Sequence, residues 1–361
     1  MSLPTTKTII VGVDYGTSKT CVSYALFDPE NPAERDIRPL SFENGSTTTP
    51  SKTPLTEKEK QYWSTETGRA IPGYTWTKVL LDKNIASPEH GDGIITKLIA
   101  NGFLRLGTQR TAPNVIQNFL RSLNEVIEKR LHKIYLDKPP LEFWFTFPAA
   151  WSEPARESVI KATIGAGYPV SPGGEVLWLS EAEAAALCLL DRVEPVEVRG
   201  HKNTFLVADC GGGTTDVTAL SVRNTGLRYE YSQISAGTGV HNGGAEVDSN
   251  LLCQFYVKFG GDIDVALKNA KLMTVILNGV EHLKFDFSGE QSKTLQILQE
   301  SIQVESGELR SALDPVVDRI VLVIIDALTI QDGQSHARVI QVHHSYFVPF
   351  TLGVKLPSMS L

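Results

Sequence analysis

Two stretches of the chain alternate short apolar runs with a glycine turn, which is the pattern of a β-hairpin. Residues 7–28 predict two strands around the turn DYGT. In FLVADCGGGTTDVTAL, residues 205–220, one apolar run ends at Asp209 and the next follows a second acid, Asp216. Both stretches share one plan: an apolar strand, then Asp, any residue and Gly, with a Thr soon after. This echo predicts a duplicated protein with two lobes, each presenting an acid-tipped hairpin.

Between the hairpins the apolar period changes and predicts helices alternating with strands. Residues 115–133 carry apolar side chains at three- and four-residue steps, so they predict an amphipathic helix. LEFWFTFP, residues 141–148, predicts a strand that its proline stops. SEPARESVIKATIGAG, residues 152–167, predicts a helix capped by Ser152. Residues 176–190 predict a strand that runs into an alanine-rich helix.

Three segments lack a clear period. Residues 43–60 are rich in Ser, Thr, Pro and Lys and predict a surface loop. Residues 61–112 have weak periodicity with many Gly and Pro, which favours a small inserted subdomain. Residues 191–203 are charged and predict a crossover between the two lobes.

Composition narrows the class of protein. With 361 residues, 42% of them hydrophobic, the chain can bury the cores of two lobes. A net charge of −7 disfavours nucleic acid and anionic membranes as partners. The four cysteines form no CxxC pair, and the eight histidines show no metal-ligand spacing. No signal peptide and no run long enough to span a bilayer are visible, so we expect a cytoplasmic or nuclear protein that is not secreted.

The hairpin tips suggest a ligand. Glycines beside a strand-end acid let backbone N–H groups approach a ligand oxygen. Hydroxyl groups at both tips add donors: Thr17, Ser18, Thr214 and Thr215. The acids would repel phosphate unless a divalent cation, usually Mg²⁺, lay between them. Each hairpin therefore predicts half of a clamp around a polyphosphate and its metal. Turn chemistry alone would explain one such hairpin, but two in register favour the site.

Other phosphate motifs do not fit. The first hairpin lacks the GxxxxGK[ST] spacing of a Walker loop, and no GxGxxG follows the first strand.

The motifs together resemble the actin-like ATPase superfamily and, within it, the 70-kDa heat-shock chaperones of the DnaK type. The resemblance runs over about residues 7–330 through VGVDYGTSKTCVS, TTTPS, TWTKVLLD, FTFPAAWSEPARESVIKATIGAG, LSEAEAAAL, VADCGGGTTDVT, GTGVHNGGAEVDSNLLCQF and VEHLKFDFS. It implies an α/β, two-lobed actin-like ATPase fold, in which helices flank a ribonuclease-H-like mixed sheet in each lobe. Lobe I would be residues 1–196, with the insertion at about 45–112, and lobe II residues 197–361.

The resemblance also implies a role for each matched residue, with ATP or ADP and Mg²⁺ as cofactors. Asp14 and Asp209 would hold Mg²⁺ through water. Phosphate would be bound by Gly16, Thr17, Ser18, Gly211, Gly212, Gly213, Thr214, Gly243 and Gly244. The catalytic set would be Lys78, which orients the attacking water, with Glu181, Asp209, Thr214 and Asp216. Glu281, Lys284 and Ser288 would face the adenosine, and Pro148 and Arg156 would link the lobes. Co-chaperones or client proteins are the further partners implied.

Ordinary structural roles remain open for several of these residues. Lys78 is explained equally well as a surface lysine. Glu181 fits a helix start, where the dipole favours acids. Glu281 and Lys284 have the spacing of a surface pair on a helix.

The chain departs from the family pattern at three points. Lys19 replaces a small or aromatic residue, and Phe285 stands where the chaperones carry an arginine that packs on the base. After residue 331 the family has a strand that ends in a glycine pair, but ARVIQVHHSYFVPFTLGVKLPSMSL has none. We therefore expect one wall of the base pocket to be missing, at a cost of about 1–3 kcal/mol in binding. We also expect lobe II to lose a strand and expose a sheet edge, with no peptide-binding domain after it.

Three functions compete on these grounds. The first is an ATP-binding and ATP-hydrolysing domain of a chaperone-like protein. The second is a pseudo-ATPase or regulatory nucleotide-binding module without turnover, and the third is a small-metabolite kinase of the same superfamily.

Overall fold

The structure is a computed structural model, and the part of it described here falls into thirteen ranges. They are residues 5–32, 36–43, 45–54, 73–82, 110–169, 176–190, 203–224, 229–233, 238–259, 270–285, 287–297, 300–329 and 337–342.

The described strands and helices follow one another along the chain in a mixed α/β order. The strands are β1 Thr8–Tyr15, β2 Lys19–Phe27, β3 Arg38–Pro39, β4 Thr48–Pro50, β5 Thr53–Pro54, β6 Gly73–Tyr74, β7 Leu141–Phe147, β8 Val176–Ser180, β9 Asn203–Cys210, β10 Thr215–Asn224, β11 Tyr229–Gln233, β12 Thr238–Val240, β13 Lys293–Ile297, β14 Glu300–Val304 and β15 Ala337–Val342. The α-helices are α1 Ala112–Ile134, α2 Glu153–Gly165, α3 Glu181–Leu190, α4 Gly244–Phe259, α5 Ala270–Phe285 and α6 Ser306–Thr329, and a short 3-10 helix spans Thr77–Leu80.

Two mixed sheets form the centre of the molecule. The first sheet has the order β3-β2-β1-β7-β8, and β4 also pairs with β2. The second has the order β11-β10-β9-β15, and β12 also pairs with β10. In each sheet an antiparallel hairpin, β1–β2 or β9–β10, lies beside a strand parallel to its first member, β7 or β15. The mixed α/β architecture and both predicted hairpins are thereby confirmed.

The first core lies between the first sheet and helices α1 and α2. Alternate residues of the strands point into it, among them Val11 and Phe143, since side chains alternate across a strand. Helix α1 supplies Phe119, Leu120 and Leu123 at three- and four-residue spacing. The helix predicted from the apolar period of residues 115–133 is thus confirmed, and in the structure it spans Ala112–Ile134.

The second core joins helices α4, α5 and α6 with the β13–β14 hairpin. Val247 and Leu251 of α4 meet Val280 and Leu283 of α5 and Leu309 of α6, all nearly inaccessible to solvent. None of the helices in the described ranges is long and apolar enough to cross a membrane.

The expectation that lobe II loses a strand is wrong. Strand β15 pairs in parallel with β9, from Ala337 opposite Thr204 to Val342 opposite Asp209. Strand pairing needs backbone groups in register, so the segment does not depend on the missing glycine pair to occupy this edge.

The predicted surface loop at residues 43–60 is also wrong over its described part, which ends at residue 54. Thr49, Ser51 and Thr53 are buried. Two of these three hydroxyl groups form hydrogen bonds inside the protein: the hydroxyls of Thr20 and Ser51 share a hydrogen bond of 2.8 Å, and Thr53 Oγ1 donates to Val115 O at 3.1 Å.

Other expectations fall partly or wholly on residues that are not described. They are most of the insertion, at residues 55–72 and 83–109, the crossover at 191–202, and with it the lobe boundary at 196/197. Ser152 does occupy the N-cap of α2, but its hydroxyl donates to Asp82 Oδ1 at 2.9 Å and makes no capping bond.

Candidate functional site

The first hairpin turn carries Asp14 at the end of β1. The turn is closed by the Gly16 amide, which donates to Lys19 O at 3.1 Å. Asp14 Oδ1 accepts a hydrogen bond of 3.0 Å from Thr146 Oγ1 on the neighbouring strand β7. The sheet therefore fixes the orientation of this carboxylate.

The second hairpin turn repeats this arrangement with two acids. Asp209 on β9 lies directly opposite Asp216 on β10, and both are buried. The Gly211 amide donates to Thr214 O at 2.8 Å and closes the turn. Asp216 Oδ1 accepts a hydrogen bond of 3.0 Å from the Ala150 amide, so this acid also contacts the chain after β7.

The two turns touch each other. A Cβ atom placed on Gly213 would lie 2.3 Å from Thr17 Oγ1, and one on Gly212 would lie 2.6 Å from Ser18 Oγ. A Cβ atom at either position would force Thr17 or Ser18 to shift, because real Cβ contacts are essentially never so short. The prediction that the two hairpins face each other agrees with this contact.

The start of helix α4 lies against the second turn. The Gly244 amide donates to Gly211 O at 3.2 Å, and the Ala245 amide donates to Gly212 O at 2.7 Å. A Cβ atom on Gly243 would lie 2.6 Å from Gly211 O. The glycine pair thus packs on the glycine turn, and its predicted contact with phosphate stays a prediction.

An inner cavity opens between the turns, and most of the predicted phosphate-binding and catalytic residues line it. The lining residues are Asp14, Gly16, Thr17, Ser18, Lys19, Cys21, Lys78, Glu181, Gly211, Gly212, Gly213 and Thr214.

Lys78 and Glu181 form a buried ion pair on one wall of the inner cavity. Lys78 belongs to the 3-10 helix, and its Nζ lies 5.8 Å from the centre of the Tyr15 ring and 5.5 Å from that of Trp151. Glu181 is the first residue of α3. The interpretation of Lys78 as an ordinary surface lysine is therefore wrong, since its exposed fraction is 4%.

Burial and neighbouring charges shift the pKa values of Glu181, which lines this cavity, and of Asp216, which is fully buried. Burial raises the pKa of Glu181 to about 8, Lys78 opposes that rise, and Asp209, Asp14 and Asp216 add to it. Burial also raises the pKa of Asp216, although the hydrogen bond from the Ala150 amide works in the opposite direction. Several carboxylates thus share a poorly hydrated space in which a bound cation would favour their charged forms.

The donor set of the inner cavity fits a hard cation such as Mg²⁺. Carboxylate and hydroxyl oxygens are the ligands that Mg²⁺ prefers, and it usually retains several waters. Within the described ranges, no three His, Cys, Asp or Glu side chains converge closely enough to hold a metal by themselves. Asp14 lines the inner cavity and the buried Asp209 is not among its lining residues, so coordination of Mg²⁺ through water by these two acids stays a prediction.

An outer cavity adjoins the inner one and shares Thr17, Ser18 and Lys19 with it. Its lining residues are Thr17, Ser18, Lys19, Pro50, Ser51, Lys52, Thr75, Trp76, Gly244, Asp248, Leu277, Asn278, Glu281 and Lys284. The predicted adenosine residues Glu281 and Lys284 are among them.

Ion pairs cross and brace the outer cavity. Lys19 of β2 meets Glu281 of α5 at 3.0 Å and so joins the first hairpin to the helices of the second core. Lys284 Nζ lies 2.5 Å from Asp248 Oδ1 of α4 and donates to Gly244 O at 3.2 Å. Lys19, where the chain departs from the family pattern, thus forms an ion pair with Glu281. Glu281 and Lys284 pair with residues of other segments and not with each other.

Lys52 and Trp76 are among the lining residues of the outer cavity that the sequence analysis did not predict as site residues. Lys52 is buried, and burial lowers its pKa to about 8 while Glu281 works against that shift. Trp76 is 6% exposed. A tryptophan two positions before the proposed catalytic lysine was a usable signal, but nothing in the polar segment around Lys52 marked it.

Of the remaining predicted residues, Ser288, Pro148 and Arg156 are not among the lining residues of these two cavities. Ser288 follows the end of α5, is exposed and lines neither cavity, so its contact with adenosine stays a prediction. Phe285 ends α5. Arg156 donates to Ala149 O at 2.8 Å and stacks 4.8 Å from the centre of the Phe147 ring, next to Pro148.

Comparison with known proteins gives a family match over most of this region. Residues 103–328, more than half of the chain, match the family model described as Hsp70 protein. The matched segment includes the second hairpin, helix α4 and helix α5.

Two curated relatives extend the similarity. The chain is 25% identical over 311 residues to the chaperone protein DnaK of Buchnera aphidicola subsp. Schizaphis graminum, covering 80% of this chain and 44% of that protein. It is 23% identical over 302 residues to the chaperone protein DnaK of Psychrobacter cryohalolentis, covering 80% of this chain and 43% of that protein. The chain thus spans under half the length of these relatives.

Proposed function

The chain belongs to the Hsp70 family and has the mixed α/β fold of its actin-like ATPase domain, and on this premise we propose that it binds Mg-ATP between the hairpins and hydrolyses it. The observation that carries this proposal is the contact between the two acid-tipped glycine turns. Gly213 touches Thr17 and Gly212 touches Ser18, beside the buried Lys78–Glu181 pair.

The turns would bind the phosphates. Thr17, Ser18 and Thr214 line one small cavity, and their hydroxyl groups are donors that suit phosphate oxygens. The residues proposed to act with them are Gly16, Gly211, Gly212, Gly213, Gly243 and Gly244.

The acids would hold the metal and order the water. Asp14 and Asp209 are proposed to bind Mg²⁺ through retained waters, and the bound ion would offset charge on the phosphates. Glu181 and Asp216 would take part through hydrogen bonds to those waters. Burial raises the pKa of both acids, and a bound cation would favour their charged forms.

Lys78 would act on the reaction itself. Its ammonium group is held by Glu181 and by two aromatic rings, so its position is fixed before a ligand arrives. A preorganised cation of this kind stabilises the charge that develops in phosphoryl transfer and costs little reorganisation. The acceptor would be water.

The outer cavity would take the nucleoside. It continues from the phosphate turn at Thr17 and Ser18 to Glu281 and Lys284 on α5. Polar side chains of this type can bind ribose hydroxyls. Trp76 gives the cavity an aromatic surface, whereas Ser288 stands apart from it.

The lobe division, the partners and the location of the protein are further parts of this proposal. We infer two lobes, divided near residues 196 and 197, with the cleft between them. Co-chaperones or client proteins, and a cytoplasmic location, are proposals that rest on the family. So is any chaperone activity, because the chain spans under half the length of the DnaK relatives.

Nucleotide binding and turnover can be tested on the chain itself. We expect calorimetry to show ATP binding that weakens when EDTA removes Mg²⁺, and steady phosphate release from Mg-ATP. Asp209→Asn should abolish phosphate release because it removes a metal-holding charge. Asp28→Asn is the matched control, since Asp28 pairs with Lys7 away from the cleft.

The alternatives predict different results. Binding without phosphate release would favour a regulatory module over an ATPase. Phosphate transfer to a small metabolite would favour a kinase. No binding at millimolar ATP would overturn the proposal.

A further inference from the structure

Trp76 begins the segment of residues 76–82, which precedes α1 in the chain, yet its side chain packs in the second core. Its side chain is 6% exposed and belongs to the buried cluster of α4, α5 and α6, together with Val247, Val280 and Leu283. Val79 and Leu80 of the same segment pack at the edge of that cluster. The segment is therefore anchored to the helices that carry Glu281 and Lys284.

The other side chains of this segment face the first core and the inner cavity. A hydrogen bond of 3.2 Å joins the hydroxyls of Thr77 and Tyr15. Lys78 pairs with Glu181, and Leu81 is buried in the first core. Asp82 accepts hydrogen bonds from the Ser152 amide at 3.0 Å and from the Ser152 hydroxyl at 2.9 Å. Seven consecutive residues thus connect both cores, with the lysine between the anchors.

The backbone at Trp76 is unusual for a bulky residue. Its φ of 55° and ψ of 22° lie in the left-handed region, which non-glycine residues seldom occupy. Such a conformation persists only where the surroundings over-determine it, and it occurs often at functional sites. The indole ring is buried in the second core, and this burial is a contact that would hold the conformation.

We propose that Trp76 is a positioning residue, which holds Lys78 against Glu181 by anchoring the 3-10 helix in the second core. A shift of α4 and α5 would move Trp76, and with it the lysine two residues later. A movement of the second core would in this way displace Lys78 in the inner cavity. The catalytic consequence rests on the proposed function, whereas the positional link does not.

The positional link is tested by a double-mutant cycle in urea unfolding, without nucleotide. Trp76→Ala should loosen Lys78, so Glu181→Gln should then cost less stability than it does in the original protein. The double variant is expected to be less destabilised than the sum of the two single variants. Trp76→Leu replaces Trp76→Ala in the cycle if the alanine variant does not fold.

Phe255→Ala is the matched control. Phe255 is a buried aromatic residue of the same core on α4, and it has no chain link to Lys78. Its effect should add to that of Glu181→Gln. If Trp76 and Glu181 are also additive, Trp76 is only a core residue and the proposal is overturned.

Turnover gives the second readout. Trp76→Leu should lower kcat about tenfold or more, because a misplaced catalytic group acts on the chemical step, whereas KM is not the readout because Trp76 also lines the outer cavity. Trp76→Phe should restore most of the rate, and Phe255→Ala should leave it unchanged. Equal kcat values for Trp76→Leu and Phe255→Ala would overturn the catalytic part. A wild-type protein without turnover would refute the proposed function, and the unfolding cycle would still decide the positional link.

Discussion

One added methyl group at Gly213 should force the two hairpin turns apart. The new Cβ would lie 2.3 Å from Thr17 Oγ1 and 3.1 Å from Thr17 Cβ and Cγ2. The threonine is 7% exposed and sits in a closed turn, so its side chain has little room to give way. The clash must therefore be relieved by separating the turns.

The size of the effect follows from two opposing terms. Overpacking a tight contact costs about 1–3 kcal/mol. Replacing glycine by alanine without strain stabilises a protein by about 0.4–1 kcal/mol, because the unfolded chain loses freedom. For Gly213→Ala the clash should win, and we expect a net loss of about 1–2 kcal/mol in the free energy of unfolding.

Gly244→Ala is the matched control, because its nearest neighbour, Lys284 Nζ, would lie 3.7 Å from the added Cβ. That distance is an ordinary contact, so the free energy of unfolding should stay the same or rise. Urea unfolding measures both variants, and ATP titration tests whether Gly213→Ala also weakens binding. Thr17→Ala combined with Gly213→Ala should recover part of the loss. If Gly213→Ala is as stable as Gly244→Ala, the turns do not touch and the site as described is wrong.

Three further predictions concern charges. Lys78→Met removes the cation that opposes the rise in the pKa of Glu181, so that pKa should climb further above about 8. Phosphate release should fall about 100-fold or more, with little change in ATP affinity. A rate within tenfold of wild type would contradict the role of this lysine. Lys52 has a folded pKa near 8 and an ordinary value of 10.5, so its burial destabilises the protein most below pH 8 and less as the pH rises towards 10.5. Lys52→Met should accordingly raise stability by about 1–3 kcal/mol at pH 7 and by less at pH 9.5 in thermal melts, and equal gains at both pH values would contradict this. Lys19→Ala should speed nucleotide release about 1.5- to 5-fold in stopped-flow measurements, a modest change because the ion pair with Glu281 is partly exposed. The double exchange Lys19→Glu with Glu281→Lys should restore the original release rate, and failure to do so would mean that the two charges act separately.

The hairpins and most helices could be predicted because their signals are local. Asp-x-Gly turns and strand alternation set β1–β2 and β9–β10, and the helical period set α1. The acids and glycines of the site were found for the same reason, since they lie at the ends of recognisable strands.

What the sequence did not reveal depends on contacts between distant segments. Thr53 sits in a stretch with the composition of a loop, and its burial comes from a hydrogen bond to Val115, 62 positions away. Strand β15 occupies its edge through backbone pairing with β9, which no side-chain motif announces. Trp76 was quoted in a motif, but its position in a core built of later helices needed the tertiary structure.

The first amides of α4 are spent on the carbonyl groups of Gly211 and Gly212. These two hydrogen bonds couple the start of the sixteen-residue helix to the turn, so we expect a ligand that displaces the glycines to displace the helix as well. Binding of a small phosphate group at the turn would in this way shift the position of the far end of α4.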